Sequence, residues 1–555
     1  MLMTGAQAIV KCLIKEGVDT VFGYPGGTIL PLYDALYGSP VRHVLTVHEQ
    51  GAAHAADGYA RASGQAGVCI ATSGPGATNL VTGLAAAFMD SVPVVAITGQ
   101  VQTSLIGRDA FQEIDITGIT MPITKHNFLV KDISKLTDTL RRAFSIARSG
   151  RPGPVLVDIP RDIQANTHDF SDLETEYSRQ SLVRQSPDLP ALISKAAAAV
   201  SAAERPVIIA GGGCINASAG QALAKFSEQC ALPVVTTLMG IGALPGRHPN
   251  LLGMTGLHGL KQANHAVHAA DVLIVTGSRF NDRVTGDRAR YAAGKTIIHI
   301  DIDPAEVHKN VDAAVPLVGE MNGILTALTR EVVPGDLSAW WATIRDWQAA
   351  CQLPVSEDEL SAAGVMAALN TQLAGEDVIY VTDVGQHQMW AAQDLKVNSQ
   401  RGFLTSGGLG AMGFGLPAAL GAQMARPDKR VIHIVGDGSL KMTGCELYTV
   451  AAERLPIISI VINNQSLGMV RQLQHCFFEK RYSASLLPAP MDFTAFAGAF
   501  GIPAAVANTP DEFSQILKTA WERQGPSLLV ANIATQDLVI PMIAPGGAMD
   551  SYVDI

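Results

Sequence analysis

Charge is scarce in this chain. Asp, Glu, Lys and Arg make up 16% of its 555 residues, and 50 acidic against 40 basic side chains leave a formal net charge of −10 at pH 7. No basic field exists to attract nucleic acid or an anionic membrane surface, so any anion must be bound locally. There is no CxxC pair, and the seven cysteines (Cys12, Cys69, Cys214, Cys230, Cys351, Cys445, Cys476) are odd in number and scattered. That pattern gives no disulfide framework, and reduced cysteines in the core of a cytoplasmic protein are expected. No apolar run reaches the roughly 18 to 20 residues that span a bilayer. The opening Met1-Leu2-Met3-Thr4-Gly5-Ala6-Gln7 lacks the basic stretch and apolar run of a secretory signal. Low complexity and internal repeats are also absent, and a soluble protein is expected.

What is present is length, a 48% hydrophobic content and 53 glycines. At 100–200 residues per domain this allows about three domains with sizeable cores. Residues 1–165 alternate short apolar runs (Val21-Phe22, Val44 to Val47, Val68 to Ala71, Val94 to Thr98, Val155 to Ile159) with stretches of helical period. This predicts a parallel sheet covered on both faces by helices. A second α/β block spans 190–332, with strands expected at Val207 to Ala210, Val234 to Thr237, Val272 to Val275 and Thr296 to Ile300. A third spans 360–535, with strands at Val378 to Thr382, Val431 to Val435, Ile457 to Ile462 and Ser527 to Asn532. The polar tract Asn166 to Leu189 and the tract Val333 to Glu359 read as linkers, and 536–555 as a turn-rich, irregular tail. In the second block glycines cluster at strand ends (Gly211-Gly212-Gly213, Gly256, Gly277), where an open α/β sheet binds a nucleotide.

The third block holds the most specific pattern. The apolar run Val431 to Val435 delivers Gly436-Asp437-Gly438, and after 24 further residues (439 to 462) the run Ile457 to Ile462 delivers Asn463-Asn464. Asp437 offers a hard carboxylate oxygen and Asn464 an amide oxygen, a pair that suits Mg²⁺ shared with a diphosphate. The glycines let backbone N–H groups approach phosphate oxygens. In the first block, His48-Glu49-Gln50-Gly51 places a carboxylate where a strand meets a helix, and Thr72-Ser73-Gly74-Pro75-Gly76 forms a turn opening another helix.

Gly-Asp-Gly followed at this distance by Asn-Asn resembles the diphosphate signature of thiamine-diphosphate enzymes. Along nearly the whole chain the likeness narrows. Phe111-Gln112-Glu113, Arg151 to Pro160, Arg279 to Gly286, His299 to Pro304, Asp383 to Trp390, Gly408 to Gly415 and Asn463 to Gln472 resemble the catalytic subunit of acetolactate (acetohydroxyacid) synthases, most of all the bacterial isozyme II type. The resemblance implies three α/β domains that bind, in chain order, the aminopyrimidine of thiamine diphosphate, FAD, and the diphosphate with Mg²⁺. It implies that Glu49 faces the aminopyrimidine N1′, that Gly74 and Pro75 line that pocket, and that Phe111 and Gln112 reach the reaction centre. Asp437, Asn464 and the Ser466 carbonyl would bind Mg²⁺. Gln386, His387, Gly410, Gly436, Gly438, Ser439, Leu467, Gly468 and Met469 would surround the diphosphate and thiazolium, with Met412 beneath the ring. FAD would lie against Gly211, Gly212, Gly213, Thr237, Leu238, Met239, Leu257, His258, Gly277, Arg279, Asp301 and Ile302. Arg283 would anchor the carboxylate of the second 2-oxo acid, with Leu257, Arg161 and Leu473 nearby.

The family's reaction is decarboxylation of pyruvate and ligation of the remaining hydroxyethyl carbanion to a second pyruvate or to 2-oxobutyrate. A flavin-linked oxidase on the same scaffold is the alternative. The halves of the thiamine site lie in different domains, so the resemblance implies a homodimer or homotetramer with sites at the subunit interface; a small regulatory subunit is a further candidate partner. The chain departs from the family pattern at Asn281 (usually Asp), Leu257 (Met), Arg161 (Lys) and Leu473 (a Trp that favours 2-oxobutyrate).

Overall fold

A computed structural model describes residues 1–174, 188–351 and 358–553. The middle of the tract read as a linker at 166–189 and part of that at 333–359 therefore lie outside the described residues.

Three six-stranded sheets, every neighbouring pair parallel, account for the three blocks. The first has the spatial order Arg42–Leu45, Thr20–Gly23, Gly67–Ala71, Val94–Gln100, Val155–Pro160, His126–Leu129. The third repeats that winding with Phe403–Leu404, Val378–Thr382, Arg430–Gly436, Ile458–Asn463, Ser527–Asn532, Ala504–Ala507. The central sheet is wound differently: Leu251–Met254, Val234–Thr236, Pro206–Ala210, Val272–Thr276, Thr296–Asp301, Val315–Val318. Its chain order reverses between Pro206–Ala210 and Val272–Thr276, the arrangement of dinucleotide-binding sheets, in which ligands sit beyond the strand ends at the reversal.

Alternate residues of each strand go to opposite faces, and here those faces build different cores. Val95, Ile97, Val155 and Val157 pack into a core private to the first sheet. Val94, Ala96 and Leu156 instead share one core with Ile379, Val381, Val431 and Val435 of the third. Between these two sheets lie the helices Glu49–Ser63 and Gly415–Ala425. Their small residues permit very close approach: a Cβ on Gly58 would strike the carbonyl of Ala418, and one on Gly421 the carbonyl of Ala55.

Two tracts differ from the sequence reading. Within 333–359 lies a helix, Ser338–Ala350. Trp340 and Ile344 recur at helical spacing and are buried in the central core, and Trp340 Nε1 donates to the Pro206 carbonyl at 3.2 Å. Within 166–189, Thr167–Asp169 pairs antiparallel with Leu2–Thr4. The tail after 535 contains no helix or strand among its described residues. It returns from the third block to the central one, where Ile543 N–H donates to the Leu257 carbonyl at 2.8 Å. No helix among the described residues is long and apolar enough to cross a membrane.

Candidate functional site at the sheet reversals

In the third sheet the winding reverses between Val378–Thr382 and Arg430–Gly436. Beyond those ends is a small cavity lined by Gln386, His387, Met412, Gly436, Asp437, Gly438, Ser439, Asn464, Ser466, Leu467, Gly468 and Met469. Every residue expected around a diphosphate and its metal is there except Gly410, which takes a left-handed φ of 69° nearby and lines the adjoining larger cavity. The glycines are required by space. A Cβ on Gly468 would collide with Gln386 Oε1, and one on Gly438 would lie 2.6 Å from Leu467. Asp437 begins the helix Asp437–Thr443, and burial pushes its carboxyl up to about 6. His387 Nε2 is buried without a partner, and burial lowers the ring to about 3, so the imidazole is neutral.

A hydrogen-bond relay steadies this cradle. Asn464 Nδ2 donates to Gln386 Oε1 (3.0 Å), Gln386 Nε2 to Gln472 Oε1 (2.8 Å), and Gln472 Nε2 to the Val539 carbonyl in the tail (2.9 Å). The buried Asp383 carboxylate accepts from the backbone N–H of Val384, Gly413 and Gly415, fixing the backbone that follows Met412. Gln472 and Asp383 were not among the expected site residues. A fully buried glutamine on the helix Gly468–Phe477 is a signal only once the tail beside it is known.

The larger cavity, of about 930 Å³, starts at the reversal of the central sheet and runs to Met412, Met469 and Leu473. It collects Gly212, Gly213, Thr237, Leu238, Met239, Leu257, His258, Gly277, Arg279, Asp301 and Ile302. Gly211 does not line it but lies beneath, where a Cβ would strike the Gly277 carbonyl. Asp301 is raised to about 6 by burial, and His258, lowered to about 4 by burial and then by Arg283, has Nδ1 without a partner. The cradle of glycines and the unsatisfied ring nitrogen fit an elongated dinucleotide. Asn281 caps the short helix Asp282–Thr285, its Oδ1 accepting from Val284 N–H at 3.1 Å, so an amide performs the local task of the usual carboxylate. Arg283 follows with its side chain 65% exposed toward the cavity and only a 3.7 Å contact to Asp282. Its carbonyl accepts from Leu257 N–H at 2.9 Å. Arg283, Leu257 and Leu473 thus share one cavity; Arg161, exposed at the start of Arg161–Ala165, lines neither.

The first block makes a separate cluster. Glu49 is buried at the start of its helix, and Asn79 Nδ2 donates to its Oε2 at 2.9 Å. A Cβ on Gly76 would lie 3.2 Å from Glu49 Oε1, and one on Gly74 2.9 Å from Gln112. Gln112 has a φ of 59°, Pro75 starts the helix Pro75–Asn79, and Phe111 is 87% exposed. Glu49, Gly74, Pro75, Phe111 and Gln112 line neither cavity of the same chain.

Family models match all three blocks: the thiamine pyrophosphate enzyme N-terminal TPP-binding domain at 3–119, its central domain at 193–328 and its C-terminal TPP-binding domain at 383–531. Together they define a thiamine pyrophosphate enzyme. The chain is 46% identical to the probable acetolactate synthase large subunit of Methanocaldococcus jannaschii, over 99% of this chain and 95% of that one. It is 47% identical to the isozyme 2 large subunit of Escherichia coli acetolactate synthase over 98% of each, and 43% identical to that organism's isozyme 1 large subunit over 98% and 96%. The chain belongs to the acetolactate synthase large-subunit family.

Proposed function

We propose that the protein decarboxylates pyruvate and joins the two-carbon remainder to a second 2-oxo acid in branched-chain amino-acid synthesis. With pyruvate the product is 2-acetolactate; with 2-oxobutyrate it is 2-aceto-2-hydroxybutyrate. The observation that carries this reading is that the cavity holding Arg283 and Leu473 adjoins the cradle around Asp437, the two sharing Val384, Gly385, Met412, Met469 and Val470 as lining. A planar guanidinium with no strong partner is shaped to hold the acceptor's carboxylate by two hydrogen bonds.

The donor set fits thiamine diphosphate with Mg²⁺. Asp437, Asn464 and the Ser466 carbonyl hold the metal, while Gln386, His387 and the glycine backbone hold the phosphates. Thiamine diphosphate supplies the electron sink that no side chain provides. Neutral His387 donates a hydrogen bond without adding charge. Met412, whose following backbone Asp383 holds, would support bound thiamine diphosphate, and Glu49 would be the proton-bearing group for its aminopyrimidine. The central groove holds FAD, which takes no net redox part. Leu473, smaller than an indole, leaves the acceptor pocket less selective; one packing surface discriminates by about 1–3 kcal/mol.

Since the Glu49 cluster and the Asp437 cradle of one chain line no common cavity, the complete site takes Glu49, Phe111, Gln112 and Arg161 from a second copy, in a homodimer or a tetramer of such dimers. A small regulatory subunit, implied by the relatives' designation as large subunits, is a further partner, and the cytoplasm is the working compartment. The test is a competition assay with thiamine diphosphate, Mg²⁺ and FAD, pyruvate and 2-oxobutyrate. Formation of both acetohydroxyacids is expected, with a larger acetolactate share than in a Leu473→Trp variant. Release of only acetaldehyde or acetate would replace the reading with a decarboxylase or oxidase.

A further inference from the structure

Two buried carboxylates lie outside the groups considered so far, and each crosses from one block to the other. Glu446, from the third block, is 2% exposed and ends the turn Gly444–Glu446. Its oxygens accept from the backbone N–H of Val47 (3.1 Å) and His48 (3.2 Å), the two residues immediately before Glu49. Thr449 Oγ1 donates to the same carboxylate at 3.1 Å and lies 3.0 Å from the Leu45 carbonyl, and a Cβ on Gly51 would collide with Glu446 Oε1. Asp90, from the first block, does the converse. It accepts from Gly407 N–H (3.1 Å) and Gly408 N–H (2.7 Å), in the loop leading to Met412. Arg61 donates to Asp90 at 2.9 Å and to the Thr405 carbonyl at 2.9 Å.

We propose that Glu446 and Asp90 are reciprocal positioning residues: each block contributes a buried carboxylate that latches the backbone carrying the other block's cofactor-facing side chain, Glu49 or Met412. The proposal rests on the roles given above to those two residues. Carboxylate to N–H bonds are charge-assisted and strong, and a buried N–H deprived of its acceptor keeps the full desolvation penalty. The local bonds at this turn, from Thr46 Oγ1 to the His48 carbonyl at 3.1 Å and from Gln50 N–H to His48 Nδ1 at 3.1 Å, leave the Val47 and His48 N–H groups to Glu446. A small misalignment at a reacting centre is enough to lose catalysis without unfolding the chain.

Glu446→Gln keeps the shape but removes the charge and one of the two acceptors: Oε1 receives Val47 and His48 N–H, Oε2 receives Val47 N–H and Thr449 Oγ1, and an NH₂ in either place cannot accept. In the full-length protein without cofactors, hydrogen–deuterium exchange should accelerate about tenfold in peptides covering residues 44–50, and in Asp90→Asn in those covering 405–412. With cofactors, kcat of Glu446→Gln should fall about tenfold or more with KM for pyruvate within about twofold. In a Glu49→Gln background the same substitution should cost nothing further, because the latch acts through Glu49. Equal losses in both backgrounds would make Glu446 merely structural and overturn the proposal, as would faster exchange with unchanged kcat. Should Glu49→Gln itself retain parental activity, the role of Glu49 falls first and the latch with it. Should Glu49→Gln be inactive while Glu446→Gln is unaffected, only the latch falls.

Discussion

His54 lies wholly inside the helix Glu49–Ser63, edge-on to Phe414 at 5.4 Å, with neither ring nitrogen partnered. Burial lowers it from 6.5 to about 3, Arg61 adding to the effect. Above pH 6.5 both folded and unfolded chains carry it neutral, and no stability depends on pH. Between about 6.5 and 3 the unfolded chain takes up a proton that the folded chain refuses, so stability is lost on acidification by about 1.4 kcal/mol per pH unit for this one ring. His54→Leu should therefore lose less of its thermal midpoint than the parent between pH 7 and pH 5; equal losses would mean the ring is solvated or protonated in the fold. Gly468 makes the opposite kind of demand. Gly468→Ala drives a methyl into Gln386 and to within 2.8 Å of Asn464 Nδ2, breaking the relay that orients the amide oxygen. Affinity for thiamine diphosphate should fall by about tenfold or more, read by calorimetric titration, with the thermal midpoint of the cofactor-free protein little changed.

The contact between the helices Glu49–Ser63 and Gly415–Ala425 decides how the two outer sheets sit together. Gly421→Ala should destabilise the protein by about 1–3 kcal/mol, since backbone rather than a mobile side chain must yield. Gly323→Ala is the control: it is exposed in the helix Met321–Glu331 with nothing within 4 Å, and the better helix former should raise stability by about 0.5–1 kcal/mol. Thermal unfolding of both variants checks the pair. The glycine pattern of these helices was readable in the sequence; which glycines face backbone was not, because that depends on a partner helix more than 350 residues away. Strands divide similarly. The apolar runs at Val68, Val94, Val155, Val207, Val272, Val378 and Val431 all proved to be inner strands, buried on both faces and so continuously apolar. His126–Leu129, Leu251–Met254, Val315–Val318, Phe403–Leu404 and Ala504–Ala507 were missed, and each is an edge strand. An edge is paired on one side only and needs no such run; the edge strand Arg42–Leu45 was read two residues late for the same reason. At the site, Gly436-Asp437-Gly438 and Asn464 were legible because one short strand delivers each. Glu446, Asp90 and Gln472 were not, since their partners lie 399, 317 and 67 residues away.

At the scale of the molecule, the question is whether one chain can complete a site. Phe111, in the Glu49 cluster, is 87% exposed, and Leu30, Met121, Met442 and Tyr448 of the two outer blocks are also uncovered. A large apolar side chain left in water beside half of a cofactor site is what an isologous interface would bury. If two copies each lend a Glu49 cluster to the other's Asp437 cradle, defects in the two halves should complement. Glu49→Gln and Asp437→Asn chains should each keep only a small residual activity alone. In a dimer containing one of each, both lesions fall in the same site, and the other site is intact. Random re-association of equal amounts should then restore about a quarter of parental activity, because about half the dimers are mixed and each has one working site. The mixture should be assayed after dilution from mild denaturant, beside the separately treated variants. If the mixture stays as inactive as its components while dimers re-form, each chain holds a complete site, and the single-chain separation between Glu49 and the Asp437 cradle must close by movement of one block against another.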